Sequence, residues 1–421
     1  MGMGLVCDDG AGRGVTRMVE WLRRHVGGVL VAALVAVGAA WGVQLAVRPQ
    51  GAASRAFFEQ GRDRFGDFRM PRVCAEWGYA NDRQPRRDSC YPALGSLLVK
   101  PFPFAAGGWF TGLGVLLWAA AFLALADGRR GLVPLAACLV SAPMVFALER
   151  GNPVVYAAAA SILFVAWHDA AARWKRGAAY ASLAAAAAVK IVPAVLGVLV
   201  LARARRRDGG TGNWWRTCLR DGGVLAALGA ACFLVPFLWC GGAEGFRQWL
   251  ANAGENAAYY AHSGAWGFVA VGRLVRSALL HMDVTQPWPG LGGERLANAL
   301  LGLGCLVVAV RGMWTARFAG TADPAGCRKG TGGDVLMLVT AAVLLVPGNM
   351  HFYSGVYLLP VFALRLREGV GCFEAACWFA LLCPLQVPMG VGSLNRPLAN
   401  LAFLGLLAGT LRRVWSNTRI A

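Results

Sequence analysis

Apolar residues arrive along this chain in blocks of roughly 15 to 25 rather than at the three-to-four spacing of a surface helix. The blocks predict spanning helices over Val26–Val47, Gly107–Ala126, Leu132–Leu148, Val154–Trp167, Gly223–Cys240, Leu296–Val310, Val335–Val346, Phe352–Leu364, Val370–Val387 and Pro397–Leu411. Helices satisfy their own backbone hydrogen bonds in lipid, so the expected fold class is all-α, a polytopic membrane protein of about 10–11 transmembrane helices. Val26–Val47 is too long for the apolar part of a secretory signal and is followed by many more blocks, which reads as a retained anchor.

One further block, Ala178–Leu201, has basic clusters at both ends, so it fits the charge pattern only if it enters and leaves on the same side. Its centre, "AAAAAVKIVPAV", carries Lys190 and Pro193, and proline breaks a helix. Two arms of about eleven residues, roughly 16 Å each, would form a half-hairpin over 178–201 with Lys190 at its tip. The rival is a single span whose lysine snorkels.

With Trp21-Leu-Arg-Arg-His25 inside, threading places the Arg129/Arg130, Arg173 to Arg176, Arg203 to Arg220, Arg311 to Lys329, Arg365/Arg367 and Arg412/Arg413 clusters on the cytoplasmic face. Both termini are then cytoplasmic, in a plasma (inner) membrane. The other face collects a long first loop, 48–106, the turn "ERGN" (Glu149 to Asn152), Lys190, a second large loop, 241–295, "PGNMH" ending at His351, and "GSLNRP". The chain from 1 to 421 reads as a single membrane domain.

Composition changes this picture little: 57% of residues are hydrophobic, 15% charged, and the net charge is +19. In a soluble protein that charge would suggest nucleic acid, but here it sits in the short gaps between apolar blocks and reads as orientation, so no nucleic-acid partner is expected. The chain has no CxxC, HExxH, Walker A or strand-bound GxGxxG sequence, so no metal or nucleotide cofactor is expected. Most of the 12 cysteines lie in apolar runs; Cys74 and Cys90 fall in the first outer loop, where an oxidising compartment would allow a disulfide.

The first outer loop holds Glu59, Asp63, Asp67, Glu76, Asp82 and Asp88 among many arginines, and most such acids simply balance neighbouring charge. Asp67 differs by context, lying in Gly66-Asp67-Phe68 with Tyr91-Pro92 following 24 residues later. "ERGNPVVYAAAASILF", "YASLAAAAAVKIVPAVLGVLVLARARRR" and "PGNMHFYSGVYLLP" follow in order. This ordered series resembles the GT-C glycosyltransferases, and most closely glycosyltransferase family 87, a polyprenol-phosphate-mannose-dependent α-mannosyltransferase-like group. The match has gaps: the family's second proline after the tyrosine is Ala93 here, and the tyrosine usual after the acid is replaced by Arg69-Met70-Pro71.

The resemblance implies a membrane glycosyltransferase moving a hexose, mannose by family, from a polyprenyl-phosphate donor to a lipid or glycan acceptor, with Asp67 as catalytic base. Elementary chemistry asks for similar parts. A lipid-linked donor needs no soluble nucleotide-binding domain, only a cationic cradle and a base. Lys190 and Arg150 could hold the phosphate, with Asn152, His351 and Tyr91 as further substrate-binding candidates. A single carboxylate with a phosphate leaving group suits inverting transfer. Asp67→Asn, nearly isosteric, is expected to isolate the base chemistry from packing. Trp214, Trp215, Trp249, Trp266 and Trp288 read as interfacial anchors, Glu149 as a partner for Arg150, and Arg273 with Arg276 as part of an amphipathic surface stretch. The alternative is a transporter or lipid flippase, but transporters gather polar residues at the midplane of two related halves, and no such halves are evident.

Overall fold

The computed structural model describes residues 10–47, 65–81, 83–126, 131–201, 204, 214–259, 266–280, 292–315, 331–347, 350–384, 388–389, 392–393 and 395–419. Among these, regular structure is helical except for a two-residue antiparallel pair, Pro388–Met389 with Gly392–Ser393. Four helices are long and apolar enough to cross a membrane, and a fifth span is made if the pair Leu132–Leu139 and Ala142–Glu149, bent by 57°, counts as one. The chain is a multi-pass, all-α membrane protein.

The long helices are α1 (Gly10–Val47), α4 (Gly107–Leu125), α9 (Trp214–Leu234) and α12 (Gly292–Thr315). The block Leu132–Leu148 is the bent pair α5 (Leu132–Leu139) and α6 (Ala142–Glu149), and several other blocks counted as full spans are short helices: α7 (Val154–Trp167), α13 (Thr331–Leu345) and α15 (Cys372–Leu382). Hydropathy registers only that a block is apolar. A helix enclosed by other helices meets that condition at any length, because its neighbours satisfy it on every side. α13 illustrates this, with Leu336 to Val339 and Ala341 to Leu345 all buried. α7 packs between α4 and α8 (Arg173–Val189), where Ala157, Ala158 and Ala159 are buried and let the backbones approach closely.

α8 ends at Lys190, whose backbone is extended (φ −144°, ψ 116°), and Val192–Val198 then forms a 3-10 segment. A Cβ on Gly197 would stand 3.9 Å from Leu183 Cδ2. In one straight helix those residues would lie about 21 Å apart, so the chain folds back on itself at Lys190. α8 itself has 17 residues, because helix continues back into the basic stretch at Arg173.

At the N-terminal end of α13, a buried ionic network joins four helices, including α14 (Leu359–Glu368) and α16 (Asn395–Arg419). Arg365 donates bidentately to Glu374 at 2.8 and 2.9 Å and to Glu368 at 2.7 Å, while Arg413 donates to Asp334 at 2.8 Å. Each carboxylate here would be costly alone, and each has a guanidinium. Arg365→Ala leaves Glu374 and Glu368 without their shared donor, and should lower the stability of the detergent-solubilised protein by about 3–5 kcal/mol, read as a fall in Tm; a wild-type Tm would show that the helices do not depend on this network.

Candidate functional site

A short helix between α1 and α4, α2 (Gly66–Trp77), carries Asp67 in its first turn. Asp67 is buried, at 4% exposure, although it lies in the most charged part of the chain. Arg150 Nη2 donates to its Oδ1 at 2.6 Å, and Asn152 Nδ2 donates to its Oδ2 at 2.6 Å. The Asn152 amide is oriented by its other end, since Oδ1 accepts the Val154 N–H at 2.8 Å, which leaves the NH₂ to face the carboxylate. Each carboxylate oxygen therefore has its own donor, both from the turn between α6 and α7.

Backbone pairing docks the two segments: Phe65 N donates to Glu149 O at 2.9 Å and Asp67 N to Arg150 O at 3.1 Å. Gly151 has φ +61°, and a Cβ there would lie 2.9 Å from Phe68 Cβ, so glycine is required on both conformational and steric grounds. Phe65 itself adopts φ +59°, a left-handed conformation that costs a non-glycine residue roughly 1–2 kcal/mol. Its ring rests where a Cβ on Gly107 would be, 2.7 Å from Phe65 Cγ.

Burial would push the Asp67 carboxyl up; the Arg150 guanidinium, the Lys190 ammonium and the Asn152 amide outweigh it and hold the group below its ordinary value. Lys190 sits at the fold-back, its Nζ 4.1 Å from the centroid of the buried Tyr91 ring. On the rim, Asp88 is pushed up by burial and by the Asp67 charge, with Arg87 opposing. Tyr353 also faces Asp67, Arg150 and Asn152. His351 joins the group through Tyr353, with ring centroids 5.4 Å apart, while its carbonyl accepts the Trp266 indole N–H at 3.2 Å.

Of the candidates, Asp67, Arg150, Asn152, Lys190 and Tyr91 thus converge, and His351 stands behind Tyr353. Tyr353 and Asp88 were not singled out in the sequence; Tyr353 lies two positions from His351 in the same turn, and only folding distinguishes them. Several expectations are corrected. Arg150 pairs with Asp67 across the fold, not merely with its neighbour Glu149. Cys74 and Cys90 are free thiols, pushed up by burial to about 12 and about 11 respectively and so unreactive. Trp249 and Trp266 are buried side chains with carbonyl partners, not interfacial anchors. Asp63, Asp82 and Trp288, and the side chains of Arg273 and Arg276, lie outside the described residues.

Asparagine in place of Asp67 would also do more than remove a base. Its NH₂ would face either Arg150 or Asn152, both donors, so some stability is lost with the charge.

No group of three or more His, Cys, Asp or Glu side chains that could hold a metal ion occurs among the described residues. The arrangement offers one buried, ionised carboxylate flanked by two cations, at one end of the helix assembly. A family model described as glycosyltransferase family 87 matches residues 90–347. That range contains Tyr91, Arg150, Asn152 and Lys190, and Asp67 is tied to it by contacts with two of them. No curated protein and no solved structure matches the chain.

A depressed folded-state pKa contributes stability that is present above the unfolded value and lost as pH falls through the folded value. For Asp67 that loss begins below about pH 3.8. The Tm of wild type should therefore fall more steeply than that of Asp67→Asn as pH drops below this point; parallel curves would show that the clasp contributes no linked stability.

Proposed function

Since the chain belongs to glycosyltransferase family 87, we propose that it transfers a hexose, mannose by its resemblance, from a polyprenyl-phosphate donor to a lipid or glycan acceptor on the extracytoplasmic face, as a GT-C enzyme with inversion. The observation that carries this reading is the buried Asp67 carboxylate set between Arg150 and Asn152, with Lys190 beside it.

In this reading the donor's tail stays in the bilayer and its phosphate approaches Lys190 and Arg150. The guanidinium that now donates to Asp67 is a good bidentate phosphate ligand. As it turns toward phosphate, one of the hydrogen bonds that weaken Asp67 as a base is released, and the carboxylate becomes more basic when donor is present. The acceptor oxygen then forms its bond to the anomeric carbon from the face opposite the phosphate. The carbon–oxygen bond to phosphate breaks, its electron pair leaves with polyprenyl phosphate, and the hydroxyl proton passes to Asp67. Asn152 keeps the second carboxylate oxygen fixed throughout. No metal or cofactor takes part in this scheme.

Purified protein given radiolabelled polyprenyl-phosphate mannose and native membrane extract should move label from lipid to a new product. Assayed well below its Tm, Asp67→Asn should lose about 10²–10⁴-fold in rate. Lys190→Ala should raise KM for the donor, and Lys190→Arg should recover part of it by keeping the charge. Full turnover in Asp67→Asn would remove the single-carboxylate mechanism, whereas unchanged KM in Lys190→Ala would remove only the cradle.

The same reading fixes topology. Thiols introduced at the exposed Lys100 and Gly241 should be labelled by an impermeant reagent from outside, and one at Gly177 should not. Labelling of Gly177 from outside would invert the assignment of faces.

A further inference from the structure

The described residues of 79–81 and 83–91 form the wall of the site that carries Asp88, Cys90 and Tyr91, yet among them only Arg86–Asp88 form a turn of 3-10 helix. Backbone carbonyls in such a segment need partners from elsewhere. One face of a helix about 160 positions later supplies them: α10 (Gly242–Tyr259). Trp249 Nε1 donates to Cys90 O at 2.9 Å, Asn256 Nδ2 to Arg87 O at 2.8 Å, and Asn252 Nδ2 to both Tyr79 O at 3.0 Å and Ser89 O at 3.2 Å. Positions 249, 252 and 256 are spaced to share one face of a helix.

Asn252 has no exposed surface, and Gln248 Nε2 donates to its Oδ1 at 3.1 Å, which leaves its NH₂ for the two carbonyls. A single buried amide therefore pinches the neck of the loop. The loop is also closed from within by the Tyr79 hydroxyl, which donates to Tyr91 O at 2.8 Å. Outside the neck, the Arg87 guanidinium lies 4.0 Å from the centroid of the Tyr259 ring, a second attachment to α10.

We propose that α10 positions the donor cradle: Trp249 and Asn252, acting through the carbonyls of residues 79–90, fix Tyr91 beneath the Lys190 ammonium and so hold that charge where a lipid-linked phosphate binds. Neither side chain touches the reacting groups, and both are positioning residues. The inference rests on the lipid-phosphate reading of the preceding subsection and adds the element that makes the cradle rigid. Lys190 is a long, flexible side chain, and a fixed aromatic face limits the positions its ammonium can take.

The test uses the full chain in lipid nanodiscs with three substitutions. Trp249→Phe removes the indole donor and keeps an aromatic ring in the cluster with Phe233, Phe237 and Phe246. Asn252→Asp removes both donated bonds at nearly constant shape, and Trp249→Phe carries the test should that variant fail to fold. Phe246→Leu serves as a packing control, since it loosens the same cluster without removing any donor to residues 79–90.

Amide hydrogen exchange across 79–91 should quicken in Trp249→Phe and Asn252→Asp while α7 and α13 stay protected. The Kd for radiolabelled polyprenyl monophosphate, and KM for the lipid-linked donor, should rise about tenfold, with a smaller change in kcat. Phe246→Leu should lower Tm and leave both exchange in this loop and Kd near wild type. Unchanged exchange in the first two variants would overturn the positioning role. Faster exchange with an unchanged Kd would overturn its link to the cradle. Absence of polyprenyl monophosphate binding by wild type itself would fall on the lipid-phosphate reading, and the exchange result alone would then decide whether α10 holds the loop.

Discussion

A carboxylate taken out of water must be compensated on both oxygens, and the burial of Asp67 places that demand on the segments packed around it. Its two donors come from one turn more than eighty residues away, so the start of α2 has to dock on the junction of α6 and α7. That docking accounts for otherwise odd local choices. Gly151 occupies a left-handed position against Phe68, and Phe65 accepts an unfavourable backbone conformation to let the chain turn into the helix beside it. The ion pair and the backbone ladder support one another, since Phe65 and Asp67 both donate main-chain N–H groups to the same turn.

The two ends of the helix assembly handle charge differently. Around Arg365 every acid is met by a guanidinium, with three carboxylates and two arginines interleaved over four helices; such a set fixes the relation of the helices and has little freedom to rearrange. Around Asp67 the nearest cations among the described residues are Arg150 and Lys190, and the second lies against the Tyr91 ring. In the proposed reading these two cations receive the anionic head of the donor. The lowered Asp67 pKa fits this picture, because the groups that depress it are the ones a phosphate would draw away.

The segment between Gly78 and Pro92 could not hold this arrangement on its own strength. It forms almost no regular structure among the described residues, so its shape is borrowed from α10 and the fold-back at Lys190. Gly95 shows how close these parts come, since a Cβ there would lie 3.2 Å from the carbonyl oxygen of Val189, the last residue of α8. The buried aromatic group of Tyr79, Phe237 and Trp249 packs beneath the loop and keeps water from its carbonyls.

By itself the sequence determined the class of molecule, because apolar blocks and basic gaps are properties of composition along one dimension, and lipid permits few backbone solutions to them. It also placed the helix break at Lys190, a local effect of a nearby proline, and drew attention to Asp67, Tyr91, Arg150, Asn152, Lys190 and His351 through their order in the chain. Which blocks are long spans and which are short enclosed helices was decided only by packing, since hydropathy reads lipid and protein interior alike. The partner of Arg150, the entry of Tyr353 into the site, and the roles of Trp249 and Asn252 are contacts between residues tens to more than a hundred and fifty positions apart. No local pattern encodes such pairs; they exist only once buried donors and acceptors have been forced to find each other in three dimensions.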